Sequence, residues 1–147
     1  MYRRPKYYLK HEVLLPISFH DTDAMKVVWH GNYIKYFELA RESLFNSFQF
    51  SYDRMKEYVF AMPITECCCK YRKPLSVTDK FAKVICMLCE YDVKFEICYE
   101  VYAKDSDTLC AYGKTQQVII NATNGELFYE TPEVLVKAIE RYKNEHQ

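Results

Sequence analysis

Residues Phe19 to Phe45 read FHDTDAMKVVWHGNYIKYFELARESLF, and the change of pattern inside this stretch decides the fold. From Asn32 onward, Tyr33, Phe37, Ala40, Leu44 and Phe48 recur at intervals of three and four, the spacing of one helix face. Tyr36 and Phe45 widen that stripe, and Lys35, Glu38, Arg41 and Glu42 are left with a narrow polar side. Glu38 and Arg41 are spaced to pair at i, i+3. A helix over residues 32–48 with so broad an apolar face has to be embraced by other structure. Immediately ahead of it stand Asp21, Asp23, Trp29 and His30.

The flanks supply strands. Residues 12–19 alternate, with Val13, Leu15, Ile17 and Phe19 on one face. A short helix is expected over residues 53–58, with Ser51 as its cap. Residues 64–71, 81–91, 95–103 and 109–120 are long runs rich in β-branched, aromatic and Cys residues, punctuated by turn signals at Lys73-Pro74, Asp92 and Asp105-Ser106-Asp107. Asn124-Gly125 marks a tight turn. Thr131 is placed to cap a last helix that has Pro132 at its first position. Val134, Leu135, Ala138, Ile139 and Tyr142 give that helix its apolar face. Consecutive strands joined by short turns predict an antiparallel sheet. One broad-faced helix against one large curved sheet makes an α+β domain, the arrangement called a hotdog fold.

Composition sets the limits of function. A chain of 147 residues is expected to form a single domain, 1–147, burying about 70% of its unfolded surface. Twenty Lys and Arg balance twenty Asp and Glu, which argues against a nucleic-acid partner. No apolar run approaches the roughly 20 residues of a membrane span. The basic start, MYRRPKYY, is not followed by an apolar stretch of signal-peptide length, so a cytoplasmic location is expected. Seven cysteines, among them Cys67-Cys68-Cys69 and the pair Cys86 and Cys89, read as reduced and mostly buried thiols. An odd count fits a disulfide framework poorly, and no second ligand pair is spaced for zinc. His11 and His146, near the ends, are expected to be solvated.

The acidic loop has a plain reading and a chemical one. Asp21 or Asp23 can serve as a turn residue bonding nearby amides. A cluster of His20, Asp21, Asp23 and His30 could also be a metal site, though all four lie in one loop with no distant partner. The helix start adds the chemical reading, because its first N–H groups lack intrahelical partners and carry partial positive charge. A carbonyl placed there is polarised, and an oxyanion formed by attack on it is held more strongly than the ground state. A carboxylate a few residues upstream can act on the same carbonyl as base or nucleophile.

Phe19-x-Asp21-x-Asp23, then Val27-Val28-Trp29-His30, Asn32-Tyr33 and Tyr36-Phe37-Glu38-x-Ala40-Arg41, resemble the 4-hydroxybenzoyl-CoA thioesterase family of hotdog-fold acyl-CoA thioesterases. Glu66, Tyr71, Pro74 and Asp79 continue the resemblance, which spans nearly the whole chain. It implies hydrolysis of an acyl-CoA to free acid and CoA, with no metal or prosthetic cofactor. It makes Asp23 the catalytic carboxylate and the His30 backbone amide the carbonyl-polarising donor. Lys26, Trp29, Tyr33 and Glu66 are expected to contact substrate, and the basic residues Lys70, Arg72, Lys73 and Lys94 are candidates for the CoA phosphates. The family's sites lie at a dimer interface, which implies a homodimer or a dimer-of-dimers tetramer. One departure is visible: the family has small residues after the catalytic Asp, whereas this chain has Ala24-Met25-Lys26. Lys26 either adds a cation near Asp23 or points to solvent. If Met25 and Lys26 obstruct the pocket, the chain is a non-catalytic acyl-CoA binding protein instead.

Overall fold

The structure, a computed structural model, describes residues 1–146. In chain order the elements are β1 (Leu9–Pro16), α1 (Asn32–Ser47), α2 (Tyr52–Glu57), β2 (Phe60–Ala61), β3 (Ile64–Tyr71), β4 (Phe81–Tyr91), β5 (Phe95–Ala103), β6 (Leu109–Gln117), β7 (Ile120–Asn121) and α3 (Glu133–Glu145). Five strands form one antiparallel sheet in the order β1-β4-β5-β6-β3, and β2 pairs with β7 in a small ribbon. Helix α1 lies on one face of the large sheet, which is the expected hotdog arrangement of an α+β fold.

The helix face is buried as its spacing predicts. Phe37, Ala40 and Leu44 are fully enclosed, with Tyr33, Tyr36 and Phe45 beside them. They meet the inward residues Ala82, Val84, Cys86 and Leu88 of β4 and Phe95, Ile97, Tyr99 and Val101 of β5. Phe37 stacks on Tyr99 with ring centroids 4.3 Å apart. Arg41 is buried too; its guanidinium bonds Glu38 and the Tyr99 hydroxyl, so the i, i+3 pair forms. Helix α3 buries Leu135, Ala138, Ile139 and Tyr142, and Tyr142 packs edge-on to Phe48 just past the end of α1.

Four expectations are corrected. The first strand ends at Pro16, and Ser18 then caps a single 3-10 turn that leaves Phe19 exposed rather than on the core face. Thr131 does not cap α3. Its hydroxyl donates to the Tyr91 and Asp92 carbonyls and ties the helix approach to the β4–β5 hairpin. His11 is half-buried, with Nε2 2.8 Å from Ser43 Oγ, and burial lowers its pKa. Only Cys86 and Cys110 are buried; Cys67 and Cys68 are exposed on β3.

The connection from β3 to β4 fixes where the site lies. β3 does not pair with the next strand; β1 occupies that edge of β4, so β3 takes the free edge of β6. Residues 72–80 must therefore cross the end of the sheet, and they pass beside the loop that precedes α1. Val28 N–H donates to the Leu75 carbonyl at 2.7 Å, and Val27 forms an isolated bridge with Ser76.

Gly113 sets how closely α1 approaches the sheet. A Cβ there would lie 2.2 Å from the Cys68 carbonyl oxygen and 2.7 Å from the Phe37 ring. Neither atom is a free chain end, so the helix or the β3–β6 pairing would have to shift. Gly113→Ala is expected to destabilise the fold by about 1–3 kcal/mol, the usual cost of overpacking. Urea unfolding with an unchanged m value measures it; a variant as stable as the parent would mean that the helix seat adjusts freely.

Candidate active site

The site is built on a loop pinned at Asp21. The Asp21 carboxylate is buried and accepts the Ser18 N–H at 2.9 Å, while Ser18 Oγ accepts the His20 N–H. The Tyr36 hydroxyl reaches the same carboxylate at 3.5 Å, and Lys35 Nζ lies 3.8 Å from its other oxygen. The Asp21 carbonyl accepts both the Trp29 N–H and Asn32 Nδ2, each at 2.8 Å. One residue therefore ties the incoming strand, the far end of the loop and the first turn of α1 together. The crossover uses the same device: the Ser76 N–H donates to the Asp79 carboxylate at 2.8 Å. These two Ser-x-x-Asp boxes brace the two segments that face each other across the site.

Asp23 stands in a different setting. It is exposed, at the head of a tight turn in which its N–H donates to the Val27 carbonyl and its own carbonyl accepts the Lys26 N–H, both at 2.9 Å. Asp23 Oδ1 accepts the Met25 N–H at 2.8 Å, and Oδ2 has no donor among the described residues. Lys26 adopts φ +65°, a left-handed conformation that favours glycine. The turn thus keeps the backbone shape that a small residue would supply, although the residue is Lys. Met25 and Lys26 are both exposed, and no ion pair joins Lys26 to Asp23 among the described residues.

The start of α1 faces this turn. Gly31 is its N-cap and makes no side-chain cap. The Asn32 N–H closes onto the Trp29 carbonyl and the Tyr33 N–H onto the His30 carbonyl. The N–H groups of His30 and Gly31 have no acceptor among the described residues. Trp29 is half-exposed, and its ring fills the space a Cβ on Gly31 would need.

Asp23, Val27, Val28, His30, Tyr33, Tyr71, Arg72, Lys73 and Pro74 line one cleft of about 300 Å³. Of the sequence candidates, this gathers Asp23, His30, Tyr33, Arg72 and Lys73. Lys26 and Trp29 adjoin it without lining it. Glu66 lies farther down β3, paired with Lys114 Nζ at 3.7 Å. Lys94 is in the β4–β5 hairpin at the opposite end of the sheet, about 23 Å along β5 from Val101, whose partner Ala111 faces Tyr71. Within one chain, Glu66 and Lys94 are outside the cleft. Tyr71 was legible only as part of the family pattern; its hydroxyl donates to the His30 carbonyl at 3.0 Å. Val27, Val28 and Pro74 had no chemical signal and enter as apolar walls. Burial pushes the Tyr33 phenol up to about 12, so it stays a neutral donor at ordinary pH. Among the described residues, no three His, Cys, Asp or Glu side chains are gathered to hold a metal ion, and no helix is long and apolar enough to cross a membrane.

The arrangement can polarise a carbonyl at the helix start, set a carboxylate oxygen beside it, and hold an anion at the Arg72-Lys73 rim. The chain is similar to known proteins over most of its length. A family model described as the thioesterase-like superfamily matches residues 17–139. A candidate esterase of Aquifex aeolicus (strain VF5) is 29% identical over 119 residues, covering 81% of this chain and 90% of that protein. The 1,4-dihydroxy-2-naphthoyl-CoA thioesterase from Synechocystis superposes with a TM-score of 0.79 at 20% identity, over 88% of this chain and 95% of that one. A Staphylococcus aureus protein solved in complex with CoA gives a TM-score of 0.81 at 15% identity, over 97% of this chain and 89% of that one. The matched span contains the acidic loop, all of α1 and the crossover, and the chain therefore belongs to the thioesterase-like superfamily of hotdog-fold proteins and is a thioesterase.

Proposed function

We propose that the chain hydrolyses an acyl-CoA to free acid and CoA, with Asp23 and the helix start as its chemical machinery. The observation that carries this reading is the pairing, in one cleft, of a carboxylate with an uncommitted oxygen and helix-start N–H groups with no acceptor. The thioester carbonyl oxygen takes the His30 N–H. Asp23 Oδ2 then draws the proton from an attacking water, or attacks the carbonyl itself. Negative charge builds on the carbonyl oxygen as the new bond forms, and the N–H groups stabilise that charge more than the neutral ground state. On the water route Asp23 passes the proton on to the sulfur and CoA leaves as the thiol. On the direct route CoA leaves as a thiolate that water protonates, and a water then hydrolyses the acyl–Asp23 anhydride to free acid and restores the carboxylate. Thioesters react with an activated water without a metal or prosthetic group. Met25 and Lys26 stay out of the cleft, which removes the steric ground for a binding-only protein.

The acyl group sits against the rings of Tyr33, Tyr71 and His30, a wall that favours a flat aromatic acyl group. This fits 4-hydroxybenzoyl-CoA-type chemistry, as does the naphthoyl substrate named for the Synechocystis relative. A panel of aromatic and straight-chain acyl-CoAs, followed by release of free thiol, tests the reading. No hydrolysis across the panel would overturn it.

Asp23→Asn removes the base while keeping the shape and the turn. Its kcat is expected to fall about 10²–10⁴-fold, the span of general-base catalysis, with acyl-CoA affinity kept. Asp21→Asn is the control. It should lower the melting temperature, because the buried carboxylate accepts several hydrogen bonds, and it should cost much less kcat at a temperature where the protein is folded. Near-parental turnover in folded Asp23→Asn would sink the mechanism.

Arg72 and Lys73 are assigned to the CoA phosphates. Arg72→Ala or Lys73→Ala should raise KM more than it lowers kcat, and the effect should shrink as salt screens the charges over about 8–10 Å. An unchanged KM in both variants would move the phosphate contact elsewhere.

A second copy of the chain is the partner this reading requires. β3 is an edge strand exposed on both faces, including Ile64 and Tyr71, and its free backbone edge is a template for pairing. Pairing through β3 would also bring the partner's hairpin end, with its Lys94 position, toward the cleft end of the first chain. We assign a homodimer or a dimer-of-dimers tetramer in the cytoplasm. Light scattering at micromolar concentration should report at least twice the monomer mass of 17.6 kDa; a monomer would count against a shared site.

A further inference from the structure

We infer that Tyr71 is a positioning residue that sets the His30–Gly31 peptide, and that its hydroxyl acts on the thioester through that peptide rather than by touching it. The inference rests on the thioesterase reading of the cleft. The Tyr71 hydroxyl donates to the His30 carbonyl at 3.0 Å. That carbonyl belongs to the same planar unit as the Gly31 N–H, which has no acceptor among the described residues and lies next to the equally unpaired His30 N–H. Turning this peptide about its flanking bonds would re-aim the Gly31 N–H, while the His30 N–H, part of the preceding peptide, would stay in place.

The restraint is needed because the helix start lacks its usual anchors. Gly31 offers no capping side chain, and glycine adds backbone freedom at this position. Among the described residues, the only other donor to the His30 carbonyl is the Tyr33 N–H, at a longer 3.3 Å. A firm second donor on the carbonyl fixes the peptide plane. It also withdraws charge through the amide and makes the Gly31 N–H a stronger donor, as in cooperative hydrogen-bond chains. Tyr71 is suited to this task. Its ring is fixed edge-on to Tyr33 at 5.2 Å and to His30 at 6.1 Å. Burial and then the neighbouring Cys69 thiol push its phenol up to about 12, so it remains a proton donor across the working range of a carboxylate base.

The step has a structural consequence. Tyr71 is the last residue of β3, the exposed edge strand, so the hydrogen bond links that edge directly to the helix start. Anything that orders the edge, such as pairing with a second copy, also steadies the Gly31 N–H, the neighbour of the His30 N–H that meets the substrate carbonyl.

Tyr71→Phe tests this, because it removes one oxygen and keeps the ring. Two readouts are taken on the folded protein: steady-state kinetics with the best acyl-CoA of the panel, and the amide nitrogen resonance of Gly31 in a ¹⁵N-labelled sample without substrate. The expected result is a kcat lower by about 3- to 10-fold, the worth of one hydrogen bond, with KM within about twofold of the parent. The Gly31 nitrogen should move upfield, because its carbonyl partner has lost a donor. A raised KM with unchanged kcat would make the Tyr71 hydroxyl itself a substrate contact, beyond the ring that lines the cleft, and overturn the inference. So would an unmoved Gly31 resonance, whatever the rates. The resonance does not need turnover: if the parent hydrolyses no acyl-CoA, the thioesterase mechanism fails on its own panel, and Gly31 still decides whether Tyr71 sets the peptide.

Discussion

The site depends first on the burial of one carboxylate. Asp21 is 7% exposed, and a charge so placed is tolerated only when hydrogen bonds replace its water. Here they come from the Ser18 N–H, the Tyr36 hydroxyl and, at longer range, Lys35. The donors belong to the end of β1 and to α1, so satisfying the carboxylate fixes the loop between them. The Asp21 carbonyl then repeats the bond from the backbone side by accepting from Trp29 and Asn32. An apolar residue could fill the same volume and keep the carbonyl contacts, but it could not order the Ser18 backbone or take the Tyr36 hydroxyl.

With the loop held there, the division of labour between the two acidic residues follows from solvent. Asp21 faces inward and its oxygens are committed, so it is structure. Asp23 lies beyond the pinned segment, exposed at the cleft, and among the described residues only one of its oxygens is engaged. Two carboxylates of the same type, two residues apart, stand in opposite settings because Asp21 closes the 3-10 turn at Phe19–Asp21 and Asp23 heads the next, exposed turn to Lys26.

Much of this was legible in the sequence where a local pattern decides the structure. The limits of β3, β4 and β5 follow from runs of strand-forming residues closed by Lys73-Pro74, Asp92 and Asp105-Ser106-Asp107, and α1 follows from its apolar stripe. The early end of the first strand is local, a Ser18–Asp21 box that turns the chain at Phe19; the failures at Thr131 and His11 share another cause, a partner distant in sequence. Thr131 resembles a helix cap, but the carbonyls of Tyr91 and Asp92 lie within its reach and take its proton. His11 resembles a solvated end residue until Ser43 of α1 covers it. The pairing of β3 with β6 depends on β1 having claimed β4, a competition for an edge that no local pattern encodes. At the site, the family resemblance singled out Asp23, His30 and Glu66, and Lys94 was a candidate by its charge; Asp23 and His30 line the cleft, whereas Glu66 and Lys94 lie away from it within one chain.

The turn that carries Asp23 shows how strain and chemistry are balanced. Lys26 holds a left-handed conformation that costs a non-glycine residue on the order of 1 kcal/mol. The cost is met because the turn is closed at both ends: the Asp23 N–H to the Val27 carbonyl, and Val27 and Val28 bridged to the crossover through Ser76 and Leu75. Asp23 itself contributes the third restraint, since its Oδ1 receives the Met25 N–H. The carboxylate thus spends one oxygen on holding its own turn and keeps the other free. An Asp is short enough to do both, because its side chain reaches the N–H two residues on, as in an Asx turn. A Glu would carry the same charge on a longer and looser arm, without that bond. In the mechanism we propose, the requirement at this position is therefore a carboxylate that also builds the turn that aims it.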